Sequence, residues 1–484
     1  MRRTKIIATI GPASLEPRVL SRMIRAGMDV ARLNFSHGTY RDHTRAIRRI
    51  RVASKRLAKP VGLLLDLQGP RIRLGEFEDG AASLEQGAEV EITPRRVMGH
   101  AGLVPIAYSW LMRDVSKGDR ILIADGLVEL KVLGKSRGRL RARVVTGGEV
   151  SDHKGVNFPG VPLSVPSITP KDRADVEFGL AMGVDAIALS FVRQARDIEG
   201  LKRLLRRAQR PPIVIAKIER REAIENLDEI LESADGVMVA RGDLGVEYPP
   251  ERVPILQKRI IERANQREVL VITATQMLES MVHAPRPTRA EASDVANAIF
   301  DGTDAIMLSA ETAVGEYPDR SIQTMSRIAS EADEFTATAR APRRSSDGVS
   351  SLTSPTHALA HTAWQAAREI RARAVVIFTH TGYSARLVSK SRPSSPIFAL
   401  TPLESTCRRL TLAWGVLPVL VPRWRTAEMM VETGVRLLQS KKLLHREDWV
   451  VAMAGTTTRS GGTNLLRILQ LGRAPDVVPA HTPR

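Results

Sequence analysis

Two short motifs concentrate the chemistry of this chain. Lys217-Ile218-Glu219 closes the apolar run Pro212-Ile213-Val214-Ile215-Ala216, and Arg241-Gly242-Asp243 closes Gly236-Val237-Met238-Val239-Ala240. Each run has the length and β-branched content of a buried strand, and the segment between them reads as a helix. Two neighbouring parallel strands therefore bring a lysine, two carboxylates and a glycine to one sheet edge. Adjacent carboxylates repel unless a cation lies between them, and Mg²⁺ prefers one or two carboxylates plus substrate oxygens. A lysine on the same rim can neutralise charge that builds on a transferring phosphoryl group.

The elements around these motifs form a repeating series. Strand-like runs cover residues 5–10, 29–35, 61–67, 186–191, 212–218, 236–240, 269–275 and 305–309, and helical patterns cover 16–26, 39–57, 170–182, 223–233 and 290–300. Eight β/α units predict a closed parallel barrel of TIM type with its functional residues at the C-terminal strand ends. An open doubly wound sheet is the alternative and would also bind ligands at strand ends. Between the third and fourth runs the texture changes. Ala88-Glu89-Val90-Glu91-Ile92 and Arg139-Leu140-Arg141-Ala142-Arg143-Val144 alternate, with turn signals at Lys117-Gly118-Asp119, Asp125-Gly126 and Gly147-Gly148. This reads as a small all-β domain inserted at the rim, where it can act as a lid. A Pro/Ser-rich stretch at 341–348 reads as a linker, followed by an α/β domain with strand runs at 374–378, 397–400 and 450–454. The expected division is a barrel over 1–70 and 157–340, a β insertion over 71–156 and a C-terminal α/β domain over 357–484.

Composition narrows the class. The chain has 484 residues, 43% of them hydrophobic and evenly spread, enough for two or three well-packed domains. Cys407 is the single cysteine, which excludes an internal disulfide and fits a reducing compartment. No apolar run is long enough to span a membrane, and the basic start reaches Gly11-Pro12 too soon for a secretory signal, so a cytoplasmic location is expected. The net charge of +19 would attract anions or nucleic acid, but aromatics are only 4% of the chain and do not interleave with the arginines. Nucleic acid is therefore not the expected partner.

Several longer motifs share one resemblance. Ala31-Arg32-Leu33-Asn34-Phe35-Ser36-His37-Gly38, Lys217-x-Glu219, Met238 through Glu247, Ala274 through Met281 and Pro287-Thr288-Arg289-Ala290-Glu291 resemble pyruvate kinase in order and spacing. The resemblance implies phosphoryl transfer from phosphoenolpyruvate to ADP, giving pyruvate and ATP, in a homotetramer. It implies Glu219 and Asp243 as ligands of Mg²⁺ or Mn²⁺, and Lys217 as the cation at the transferring phosphoryl and the enolate. Arg32, Gly242, Asp243 and Thr275 are implied on the substrate side, Thr275 near the carbon to be protonated. Asn34, His37, Arg73 and Lys154 are implied on the nucleotide side. Members with a potassium ion hold it through Asn, Ser and Asp, here Asn34, Ser36 and Asp66. This chain departs from that pattern at Leu67-Gln68-Gly69-Pro70-Arg71, where Arg71 puts a fixed charge in place of a glutamate. Leu67, Gln68 and Arg71 match a branch that does without potassium. The Thr379-His380-Thr381-Gly382-Tyr383-Ser384 loop, with 455–464 as a second wall, resembles an effector site for a phosphorylated ligand through Thr379, Thr381 and Ser384. A metal-dependent lyase barrel and a catalytically silent regulatory paralogue are the competing readings.

Overall fold

The computed structural model describes residues 2–339, 354–423, 426–455 and 462–472. Eight strands close into an all-parallel barrel: β1 (Lys5–Thr9), β2 (Val30–Asn34), β3 (Gly62–Asp66), β4 (Ala186–Leu189), β5 (Ile213–Ile218), β6 (Gly236–Ala240), β7 (Leu270–Ala274) and β8 (Ala305–Leu308). Every strand pairs with its sequence neighbours, and Lys5 opposite Ala305 joins β1 to β8. The open-sheet alternative is thereby excluded. Ile7, Leu64, Ile215, Met238 and Ile272 fill the interior as one cluster, and a second layer packs strands against the outer helices. Burial on both faces explains why these strands read as unbroken apolar runs.

The helices begin where the sequence supplies caps. Thr39 with Asp42, Thr169 with Asp172 and Thr288 with Glu291 each form a capping box at the start of Tyr40–Arg56, Pro170–Ala181 and Arg289–Asp301. One expected helix is broken. The 223–233 pattern splits into Arg221–Glu225 and Leu227–Ser233 at Asn226, whose side-chain amide donates to the Arg193 carbonyl at 2.9 Å. A short amide side chain bonding to backbone outside the helix competes with the helical geometry.

The chain leaves the barrel after β3 and returns before β4. In between lies a six-stranded sheet with spatial order Val156–Asn157, Arg120–Ile123, Val128–Ser136, Arg139–Thr146, Glu89–Thr93, Leu103–Pro105. The two alternating runs pair with each other, Val90 opposite Ala142. The sheet has its own core around Phe77, Ile92, Leu130 and Phe158. Gly69 sets the exit from the barrel. It sits at φ +68, and a Cβ there would lie 2.8 Å from the Phe191 ring, so only glycine fits the turn.

The C-terminal sheet runs β11-β10-β9-β12-β13, from β9 (Ala374–Phe378), β10 (Ile397–Thr401), β11 (Val416–Leu420), β12 (Trp449–Gly455) and β13 (Thr463–Gln470), with β13 antiparallel. The edge strands β11 and β13 were not legible in the sequence. Pro418 within β11 argues against a strand and is tolerated because β11 is an edge. This domain sits at the barrel's N-terminal end, opposite the functional rim. Asp304, just before β8, pairs with Lys390 and with Arg392, the latter at 2.7 Å; Asp185, just before β4, pairs with Arg408 at 3.0 Å and Arg51 at 3.2 Å. The 341–348 linker and most of the 455–464 wall lie outside the described residues. Among the described residues no helix is long and apolar enough to cross a membrane.

Asp114 ties the inserted sheet to the returning chain. It accepts from the Tyr108 hydroxyl, from the Ser164 backbone and hydroxyl at 2.7 and 2.8 Å, and from Arg113 at 3.0 Å. Desolvation opposes its charge, but these donors hold the carboxyl down at about 2. A folded value below the unfolded one gives stability that is complete above the ordinary aspartate range and lost as pH falls through about 2. Asp114→Asn should therefore lower thermal stability at pH 7, and the gap to the native chain should shrink steadily between about pH 4 and pH 2. Differential scanning calorimetry across that range checks it; a gap independent of pH would show that the carboxylate charge is not what ties the returning chain to the sheet.

Candidate active site

The C-terminal ends of β2, β3 and β5 converge on one buried charge cluster. The parallel register sets Asn34 beside Asp66 and Lys217 beside Met238. Arg32 reaches Asp66 with two nitrogens, Nε and Nη2, both 2.7 Å from Oδ2, and its Nη1 donates to Thr9 Oγ1 at 2.9 Å. Lys217 Nζ lies 2.6 Å from Glu219 Oε1 and 3.5 Å from Asp66 Oδ1, and donates to Ser190 Oγ at 2.9 Å. Asp66 and Glu219 are each only 1% exposed. Lys217 and Glu219 do form the ion pair that two residues on one strand face permit.

Electrostatics follow from that burial. Desolvation works against the Lys217 charge, yet Asp66, Glu219 and Asp243 outweigh it and hold the ammonium protonated beyond lysine's ordinary range. Asp66 is held below the usual carboxylate range: burial raises it, but Lys217 and Arg32 prevail. Glu219 goes the other way. Burial pushes it up to about 7, Asp243 adds repulsion, and Lys217 only partly compensates. Glu219 Oε2 accepts the Phe191 amide at 2.7 Å, while Glu219 Oε1 and Asp66 Oδ1 face the Lys217 ammonium. Two buried carboxylates beside Asp243 leave this rim with more negative charge than Lys217 alone offsets at Glu219.

Asp243 stands opposite, exposed in the first turn of the short helix Arg241–Glu247. Arg241 anchors that turn to the Thr275 carbonyl at 2.7 Å and to Asp294 at 2.6 Å. The Gly242 amide, expected to face a ligand, donates instead to Thr275 Oγ1 at 2.8 Å, and that hydroxyl donates to the Ala274 carbonyl at 2.6 Å. Thr275 and the following Gln276 have φ of +68 and +53, and Phe191 has +55. A β-branched residue in the left-handed region is strained, and here three such positions crowd one rim.

Between this rim and the inserted sheet lies a cavity of about 280 Å³, walled by Arg71, Arg73, Asp125, Arg193, Arg220 and Asp243 among others. Arg73 donates to the His153 carbonyl at 2.9 Å, and the exposed Lys154 is the next residue on that turn. His37 is exposed on the barrel side. Desolvation, then Arg71, Arg73 and Arg32, push its imidazole below the ordinary value, so it is neutral near pH 7. Arg32, His37, Arg71 and Arg73 thus share one field. Asn34 Oδ1 accepts the Ser36 amide at 3.1 Å, which keeps these two of the three monovalent-ion candidates together.

The structure separates the effector candidates from this site. Thr379 Oγ1 accepts the Gly382 amide at 2.9 Å and Thr381 Oγ1 that of Tyr383 at 3.4 Å, so both hydroxyls bond within the loop that leads into the helix Tyr383–Lys390. Ser384 is buried and shares a 2.6 Å hydrogen bond with Thr463 of β13. Sequence reasoning missed Ser190, Arg220 and Glu247. Ser190 alone carries no pattern, and the Arg220–Glu247 pair at 2.7 Å joins the segment after β5 to the end of the helix Arg241–Glu247.

The chain is similar to known proteins over nearly its whole length. The family model described as "Pyruvate kinase, barrel domain" matches residues 1–322, and "Pyruvate kinase, alpha/beta domain" matches residues 357–469. The chain is 44% identical to the pyruvate kinase of Sporosarcina psychrophila over 479 residues, 98% of this chain and 81% of that protein. It is 46% identical to pyruvate kinase 2 of Synechocystis sp. over 472 residues, 96% of this chain and 79% of that protein. A crystal structure of a pyruvate kinase from Cryptosporidium parvum aligns with a TM-score of 0.91 at 36% identity, covering 97% of this chain and 96% of the other.

The Thr275 hydroxyl generates a prediction independent of turnover. Thr275→Val keeps the shape but leaves the Gly242 N–H without its acceptor, so unfolding in urea should reveal a loss of about 1–3 kcal/mol. Thr275→Ser should recover most of it. Equal stability of the valine and serine forms would show that the hydroxyl does not hold the Arg241–Glu247 turn.

Proposed function

The chain belongs to the pyruvate kinase family and is a phosphotransferase, and from that premise we propose how its residues move a phosphoryl group from phosphoenolpyruvate to ADP to give pyruvate and ATP. The observation that carries the reading is the buried Lys217–Glu219–Asp66 cluster beside a cavity lined by Asp243, Arg71 and Arg73. A lyase would have no use for Arg73 and Lys154 on a separate domain across that cavity.

The residues present fit a divalent ion. Glu219 lies close enough to Asp243 to feel its repulsion, and a cation between two such carboxylates, completed by substrate oxygens, is what Mg²⁺ or Mn²⁺ takes. Glu219 and Asp243 would hold it. When bound, such an ion supplies Lewis-acid polarisation of the enolate and phosphoryl oxygens. The protein's own groups do the rest. Lys217 faces the equatorial oxygens of the phosphoryl group in flight, and its three carboxylate neighbours keep it a permanent cation. Asp66 and Thr9 fix the Arg32 fork so that its charge is aimed before substrate arrives. Arg73, Lys154, His37 and Asn34 serve the nucleotide side, with closure of the inserted sheet excluding water. Thr275 is too weak an acid to protonate the enolate itself. It positions a water or relay for that step, and Gly242 leaves the floor beside it free of a side chain.

The monovalent site reads differently from the potassium-using pattern. Asp66 already carries Arg32 and Lys217, and Arg71 adds a guanidinium to the field felt at His37. That charge stands in for potassium. For regulation, a phosphorylated effector would meet Thr381, which is exposed, while Thr379 and Ser384 shape the loop from within. 

Lys217→Met tests the catalytic assignment. Its kcat should fall at least about 10²–10³-fold, with a smaller change in KM, as for loss of a preorganised transition-state partner. Near-native kcat with only a raised KM would sink the assignment. The ion argument predicts full activity when tetramethylammonium replaces K⁺ at constant ionic strength with Mg²⁺ present, and partial conversion to potassium dependence in Arg71→Glu. Activation of the native enzyme by K⁺ of an order of magnitude would overturn it.

A further inference from the structure

The segment returning the chain from the inserted sheet to the barrel crosses from one hydrophobic core to another. Phe158 and Val161 belong to the small domain's core, with Leu163 and Val165 packed on it, whereas Ile168 belongs to the barrel's. A strap between two cores is where a lid must bend. Its backbone is gripped from the barrel rim. The Gly160 amide donates to Glu247 Oε2 at 3.2 Å, Arg220 Nη2 donates to the Val161 carbonyl at 3.2 Å, and Arg193 Nη2 donates to the Val165 carbonyl at 3.0 Å. Gly160 adopts φ +73, so the bend is built on a residue that accepts it without strain.

Arg220 and Glu247 also meet each other, Nη1 to Oε1 at 2.7 Å, with side chains only 7% and 3% exposed. Their positions in the chain give the pair its meaning. Arg220 directly follows Glu219 at the end of β5, and Glu247 closes the helix Arg241–Glu247 whose first turn carries Asp243. One buried ion pair therefore joins the two elements bearing the proposed metal ligands to each other and to the lid's strap. A buried ion pair adds little net stability over a well-packed apolar pair, but it specifies geometry, because removing one partner strands the other charge. The guanidinium fork spends one nitrogen on the carboxylate and another on the carbonyl, which a lysine cannot do in the same orientation.

We propose that Arg220 and Glu247 are positioning residues that couple the inserted domain to the metal site, so that the strap and the spacing of Glu219 from Asp243 change together. This rests on the reading of Glu219 and Asp243 as metal ligands. The test uses the full chain with Arg220→Lys, Glu247→Gln and Glu247→Asp. The last keeps a paired charge but is too short to reach both Arg220 and Gly160, and serves if the neutral form does not fold. Three quantities are measured: Mn²⁺ affinity without substrates by electron paramagnetic resonance, hydrogen–deuterium exchange over residues 158–168, and kcat with KM for phosphoenolpyruvate. Mn²⁺ binding should weaken about tenfold or more, the scale for groups that orient metal ligands. Exchange in the strap should rise in the same variants, and kcat should fall more than KM rises.

Faster strap exchange with native Mn²⁺ affinity would overturn the coupling and leave the pair a structural staple. Unchanged exchange and affinity would overturn it as well. The Mn²⁺ and exchange measurements need no turnover, so a native chain that binds Mn²⁺ but fails to convert phosphoenolpyruvate would strike the proposed reaction and leave the coupling standing. A native chain that binds no Mn²⁺ would remove the coupling together with the ligand assignment.

Discussion

Charge held out of water at the mouth of the barrel is the constraint on which the rest depends. Arg32, Asp66, Lys217 and Glu219 come from three strands, and the two carboxylates are almost fully buried. An isolated ionised group in such a place would cost many kcal/mol, so each must find an opposite charge within a few ångströms. That demands the register of β2, β3 and β5 be right to within a residue, because a slip by one turns a side chain from the interior to the helices. The closed barrel supplies that accuracy, since each strand is hydrogen-bonded on both sides. What remains unbalanced is Glu219, raised by burial and by the nearby Asp243, which itself lines the cavity.

The two ends of the barrel are used in opposite ways. At the N-terminal end, Asp304 and Asp185 are spent on arginines and a lysine of the C-terminal domain, and Lys5 donates to the Val416 carbonyl at 2.6 Å. Burial pushes Lys5 and Lys390 down to about 8, so this seam is a tightly desolvated one. The C-terminal end gathers Asp66, Glu219 and Asp243, and a separate small domain stands across a cavity from it. The seam below is fixed by buried ion pairs, whereas the chain returns from the domain above through a segment that leaves one core and enters another.

Three of the chain's left-handed non-glycine residues stand on that upper rim. Phe191, Thr275 and Gln276 take left-handed backbone where glycine would be the easier residue. Phe191 thereby directs its amide at Glu219, and Thr275 directs its hydroxyl at Gly242. Both contacts orient the segments that bear the metal-ligand candidates, so conformational energy stored in the turns is converted into fixed donor directions.

Local chemistry in the sequence was enough for the eight barrel strands, the capped helices and the identity of the charged residues at the strand ends. Apolar runs with β-branched content, Thr-x-x-Asp and Thr-x-x-Glu caps and Gly or Pro breaks act over a few residues and leave their mark there. The split at Asn226, the edge strand containing Pro418 and the antiparallel β13 escaped, because each depends on a neighbour that only the assembled sheet provides. Lys217 and Glu219 were legible as a pair sharing a face; the role of Ser190 and Asp66 in holding Lys217 was not. Nothing in the sequence showed that the Thr275 hydroxyl accepts from the Gly242 amide, because the two come from different strand ends. By itself, then, the sequence determined which residues could do chemistry and which strands would carry them. The tertiary structure decided which charges are paired and how deeply they are buried, and that Arg220 and Glu247 meet, because desolvation and ion pairing arise only where segments distant in the chain are packed together.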